Sequence, residues 1–295
     1  MTTALEVPGP WSHHYVAANG ARFHVATLGE GPRTVVLLHG FPQFWWSWRH
    51  QMAALADQGF RVVAMDLRGY GTSDKTPNGY DPFTLAGDVA GVIAAMGCSS
   101  VDLVGHGWGG YIAWSVAAIH PRVVDRLAVV SAPHPAALLA SMWRGGPGVA
   151  HVLAMQVPWL PERRLHSSKR NLLAAHLRAW SAPGARWPSP AEVDTYRAAI
   201  SVWPAAHCAL EYHRWLFRSR LRADGRRYRA AIRTPLHLPV LAVYGSLDPV
   251  LPPARRSRSR WVQGPYREVV VDGAGHFVPE ESPTTTTRAL VDWLG

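Results

Sequence analysis

His276 and Asp248 are the residue types from which a general base and its orienting carboxylate are built, and each sits where an apolar run gives way to a loop. His276 lies in Gly273-Ala274-Gly275-His276-Phe277, behind Glu268-Val269-Val270-Val271-Asp272. Asp248 lies in Ser246-Leu247-Asp248-Pro249, behind the run from Leu238 to Gly245. Among 15 histidines either residue alone means little; their placement after successive strands is what gives them weight. A third stretch, Val101-Asp102-Leu103-Val104-Gly105-His106-Gly107-Trp108-Gly109-Gly110, passes from apolar residues through a glycine-rich turn into helix-compatible Tyr111 to Ala118. Such a strand, sharp turn and helix throws its middle residue up at the strand's end with φ > 0, the usual seat of a nucleophile. Here that residue is Gly107, which has no side chain to attack anything.

This elbow, with His106 and Trp108 flanking its centre, resembles the nucleophile elbow of α/β-hydrolases and most of all their epoxide hydrolase branch, where an aspartate stands between those neighbours. The order elbow, acid, histidine is the family's order. The resemblance covers nearly the whole chain and implies roles: His276 as catalytic base, Asp248 as the carboxylate that fixes its tautomer, and the backbone amides of Phe41 and Trp108 as the oxyanion hole. Phe41 belongs to His39-Gly40-Phe41-Pro42, which in that family bends the chain toward the reaction centre.

The departures matter as much. Gly107 leaves the nucleophile position without the carboxylate that would attack an oxirane carbon. Of the two cap tyrosines that donate protons in the family, one falls on His213, within Ala209-Leu210-Glu211-Tyr212-His213-Arg214-Trp215, and the other on Met155. Tyr212 and Tyr196 are near in sequence, but adjacent residues on a helix point about 100° apart, so neither is an obvious substitute. A side chain held at φ > 0 in such an elbow costs about 1–3 kcal/mol, a strain that glycine relieves. Trp45, Trp46 and Trp108 are expected to line a hydrophobic pocket. The expected activity is hydrolysis of a hydrophobic ester or epoxide by water that His276 and Asp248 activate, with no metal and no cofactor. The alternative is a catalytically silent relative that binds a hydrophobic ligand or a protein partner.

The elements that must position these residues follow from periodicity. Val16 and its neighbours pair with Ala21 to Ala26 across Asn19-Gly20 as a hairpin. Apolar runs at Thr34–Leu38, Arg61–Asp66, Val101–Gly105 and Arg126–Ser131 read as strands, and the helical stretches Trp45–Asp57, Pro82–Met96 and the elbow helix alternate with them. That alternation predicts an α/β-hydrolase fold, a mostly parallel central sheet with helices on both faces. After the sixth strand the rhythm becomes helical, so residues 135–235 are expected to form a cap on a core made of 1–134 and 236–295. Strands at Leu238–Gly245 and Glu268–Asp272, then a helix from Pro283 to Leu294, complete that core. Arg68 and Asp74, in the glycine-rich loop Leu67 to Lys75, are read as bracing rather than catalysis.

A chain of 295 residues with 48% apolar content can bury a large core. Cys98 and Cys208 are far apart and outside any metal-ligand spacing, so core thiols are expected. Met1 to Trp11 lacks the basic start and apolar run of a signal peptide, and no apolar stretch is long enough to span a bilayer. A cytoplasmic protein is the expectation. The formal charge of +10 comes almost wholly from arginine and is densest at Arg255-Arg256-Ser257-Arg258-Ser259-Arg260, read as the basic face of a surface helix. No recognition motif accompanies it, so nucleic acid is not expected, while a weak attraction to acidic membranes or to a protein partner stays open.

Overall fold

The computed structural model describes residues 4–143, 147–167, 172–251 and 261–295. The expected basic surface helix at Arg255 to Arg260 lies outside the described residues. Eight strands form one sheet: β1 (Ser12–Ala18), β2 (Ala21–Leu28), β3 (Arg33–Leu38), β4 (Phe60–Met65), β5 (Val101–His106), β6 (Val124–Val130), β7 (Val240–Gly245) and β8 (Tyr266–Val271). Their order is β1-β2-β4-β3-β5-β6-β7-β8, antiparallel at the β1/β2 and β2/β4 pairs and parallel from β4 to β8. Asn19 and Gly20 both take positive φ, which matches the twist of a two-residue hairpin. Among the central strands β5 and β7 are buried along their whole length and β3 from Thr34 onward, as a sheet covered on both faces requires.

Helices α1 (Arg49–Asp57), α2 (Pro82–Ala95) and α3 (Trp108–Ile119) alternate with the first strands. Between β6 and β7 comes a helical insert of α4 (Pro135–Trp143), α5 (Pro147–Ala154), α6 (Leu160–His166), α7 (Leu172–Trp180), α8 (Pro190–Ser201), α9 (Ala205–Arg218) and α10 (Ala223–Ala231). After β8 follow α11 (Val278–Glu281) and α12 (Pro283–Leu294). Two boundaries differ from the sequence reading. The helix expected from Trp45 opens as a 3-10 turn over Trp45–Trp48, because the carbonyl of Phe44 takes the amide of Ser47 three residues on. The strand expected from Leu238 begins at Val240, since Pro239 brings no N–H to the ladder.

The glycine-rich loop after β4 is braced, though by other partners than an Arg68–Asp74 pair. Arg68 grips Asp88 with two nitrogens, and Asp74 accepts the Arg22 amide at 2.8 Å. Both cysteines are free, Cys208 buried and Cys98 partly so.

Candidate functional site

Because β3, β5, β7 and β8 run parallel, the loops that leave them collect at one edge of the sheet. Phe41 follows β3, Gly107 follows β5, Asp248 follows β7 and His276 follows β8. Gly107 caps α3 with φ 53° and ψ −116°, its amide donating to the Val130 carbonyl at 3.0 Å. A Cβ placed there would meet only His276 Nε2 at 3.5 Å and Gly40 Cα at 3.6 Å, both ordinary contacts. Space at this turn therefore suffices for a side chain; the backbone conformation is what disfavours one.

His276 Nδ1 stands 2.9 Å from Asp248 Oδ2. The other carboxylate oxygen accepts the amides of Val250 and Leu251 at 2.8 and 3.0 Å. Burial by itself would raise the pKa of Asp248, but the neighbouring imidazole and these amides outweigh it and hold the carboxyl below its usual range. An ionised Asp248 accepts a hydrogen bond from the Nδ1–H, and in that tautomer the lone pair is on Nε2, the nitrogen that faces residue 107.

The loop carrying His276 is fastened from both sides. Glu281 accepts the amides of Gly275 and Phe277, each at 2.9 Å, and also that of Ala182 in the insert at 2.7 Å. The amide of His276 donates to the Trp180 carbonyl at 2.8 Å. This close approach requires glycine at 275, where a Cβ would lie 2.4 Å from the Ala182 nitrogen. Beneath the loop, buried His106 donates from Nε2 to the His276 carbonyl at 2.9 Å. Burial, then the proximity of His276, lowers the pKa of His106 to about 3, so the ring is neutral and acts as a strut.

Two backbone amides in the loops at this edge are left without an acceptor among the described residues. Trp108 is the first residue of α3, whose leading amides have no intrahelical acceptor. Phe41's amide has no acceptor among the described residues.

The opposite wall comes from the insert and is built of imidazoles and indoles. The Trp108 indole donates to His213 Nε2 at 3.0 Å, so the His213 proton sits on Nδ1 and goes to the Ala209 carbonyl at 3.2 Å. His151 Nε2, 3.3 Å from the same His213 nitrogen, must then be the donor. His176 stacks on His151 at 5.0 Å, and its own Nε2 has no partner among the described residues. Phe41 meets His213, His176 and His151 at ring separations of 4.8, 5.2 and 6.0 Å. Burial depresses all three histidines, His151 to about 4, so this wall is uncharged at neutral pH.

Of the residues singled out in the sequence, His276, Asp248, Gly107, Phe41, Trp108 and His213 come together here. Met155 is buried, with its carbonyl held by Arg214 Nε at 3.2 Å. Tyr212 donates its hydroxyl to the Arg68 carbonyl at 2.7 Å, so it offers no free proton. Trp45 corrects the expectation that it lines the pocket. Its indole donates to the Leu5 carbonyl at 3.0 Å and its ring packs edge-on against Trp11 and His13, because the 3-10 turn rotates it into the core beside β2. Sequence reasoning missed His151, His176, Trp180 and Glu281. The spacing of His176 and Trp180, four apart on α7, was the available signal.

Among the described residues no group of histidine, cysteine, aspartate or glutamate is arranged to hold a metal ion, and no helix is long and apolar enough to cross a membrane.

Comparison with known proteins agrees with the architecture. A family model described as the alpha/beta hydrolase fold matches residues 33–283. Epoxide hydrolase A of Mycobacterium tuberculosis is 32% identical over 97% of this chain and 98% of its own length. The AB hydrolase superfamily protein YfhM of Bacillus subtilis is 30% identical over 95% of this chain and 96% of its own. The crystal structure of Epoxide Hydrolase A from Mycobacterium thermoresistibile superposes with a TM-score of 0.83 at 28% identity, covering 96% of this chain and 98% of that one. With its sheet order, its helical insert and the extent of these matches, the chain belongs to the α/β-hydrolase family, within the epoxide hydrolase-like group.

Proposed function

We propose that this protein hydrolyses a hydrophobic epoxide or ester without a covalent intermediate. The observation that carries the reading is the His276–Asp248 contact at 2.9 Å, with His276 Nε2 directed at the space over Gly107. In this scheme His276 takes a proton from a water over Gly107, Asp248 steadies the resulting imidazolium, and the amides of Phe41 and Trp108 stabilise charge on the substrate oxygen. The insert acts as the cap, closing the site with Phe41, Trp108, His151 and His213. A general base contributes about 10²–10⁴-fold, which suits a strained ring or an activated ester rather than an inert amide.

The test is a panel of aryl and alkyl epoxides and esters, turned over in ¹⁸O-water. Direct attack places the label in the product in the first turnover and leaves the protein mass unchanged. Absence of turnover across the panel defeats the reading.

One observation favours a second reading, a silent relative that binds a hydrophobic ligand. His213 stands where the family has a proton-donating tyrosine, yet its Nε2 already accepts from Trp108 and has no proton to give. Tight binding of apolar ligands without turnover, unaffected by His276→Gln, would establish that alternative.

A further inference from the structure

We propose that the space over Gly107 is a binding site for a small free carboxylate, which takes the place of the absent side chain and supplies the attacking oxygen. The inference rests on the same reading of the His276 site. Four features converge there. A Cβ fits at residue 107 in ordinary contact, so the volume next to the backbone is real. The amides of Phe41 and of Trp108, the first residue of α3, have no partner among the described residues, and unpartnered N–H groups at a helix start are the kind that hold anions. His276 is 94% buried, only 6% of its surface being exposed, and its Nε2, without a partner among the described residues, lies 3.5 Å from that Cβ position. The fourth feature is the surrounding wall, which among the described residues presents neutral imidazoles and indoles, with the Asp248 carboxylate set behind His276. A planar carboxylate fits these donors better than a halide, since one oxygen can face the amides while the other points across the cavity.

With an epoxide bound, a formate oxygen forms a bond to a ring carbon and the ring C–O bond breaks. The opened oxygen takes a proton from water, leaving a hydroxyalkyl formate and hydroxide. A second water, deprotonated by His276, then adds to the formyl carbon, and the diol leaves with the proton returned from the imidazolium. The formic acid released neutralises the hydroxide. Formate is regenerated, and the sum is epoxide plus water to diol.

The experiment measures epoxide turnover by the purified protein against sodium formate, with sodium chloride at equal ionic strength as control, and repeats it with ¹⁸O-formate in unlabelled water. The expected result is a saturable rise of about tenfold or more, as for a reactant held in place, with one ¹⁸O in the diol. Gly107→Asp, which carries the carboxylate in the chain, should show no dependence on formate. Gly107→Ala, whose methyl narrows the site, should require more formate for the same rise. A rise matched by chloride, a linear dependence, or a diol without label overturns the proposal. Label from solvent alone, with turnover unaffected by formate, leaves direct water attack standing. Turnover seen only with formate removes that water route and upholds the carboxylate site.

Discussion

The two walls of the candidate site are built by different rules. The wall from the sheet holds an ionised carboxylate, an imidazole and two backbone amides, each fixed by strand ends and loop hydrogen bonds. The wall from the insert holds three neutral histidines, His176 and His213 buried and His151 partly so, and the nitrogen of His213 beside Trp108 accepts rather than donates. One wall presents an acceptor nitrogen, while in the other the protons of His213 and His151 are already engaged by the Ala209 carbonyl and by His213. The difference teaches that in the proposed reaction the base comes from the sheet, whereas His213 gives no acid assistance to a leaving oxygen.

The comparison breaks most sharply at His276. His276→Gln should lower kcat by about 10²–10⁴-fold with little change in ligand affinity; unchanged kcat would place the chemistry elsewhere. Gly107→Asp should raise epoxide turnover while lowering thermal stability by about 1–3 kcal/mol, the strain of a side chain at this φ, readable by calorimetry.

Acid should separate the depressed histidines from Asp248 by their windows. The pKa values of His151 and His106 are depressed to about 4 and about 3 from 6.5. Below 6.5 the unfolded chain therefore binds protons that the folded one refuses, and stability is lost as pH falls toward those values. The slope is about 1.4 kcal/mol per pH unit for each such histidine. Asp248, depressed below its unfolded value, contributes stability above that value and loses it only as pH falls through its folded pKa, a lower window. His151→Phe should make the melting temperature fall less steeply between pH 6.5 and 4.5, by one histidine's share, because His106, His176 and His213 still lose stability there. The smallest effect on turnover belongs to Trp45→Phe, which should cost about 0.5–3 kcal/mol of stability and leave kcat/KM unchanged, since the indole lies away from the site.

Much of this was legible in the chain itself. Apolar runs of strand length alternating with helical spacing determined the sheet and its insert, because burial on both faces writes itself into consecutive residues. The elbow around Gly107 and the loops bearing Asp248 and His276 are local signals of the same kind: turn glycines followed by one polar residue. The packing of the insert left no such trace. His151, His176 and His213 lie on three different helices, and each alone reads as one histidine on an apolar face. Trp45 showed the opposite error, since its direction was set by a 3-10 turn and the Leu5 carbonyl, which its own neighbours do not reveal. Sequence determined which strand ends carry the candidate residues, because periodicity records burial. Tertiary structure alone decided which side chains face one another across the gap and which nitrogen carries each proton, because those depend on partners tens of residues away.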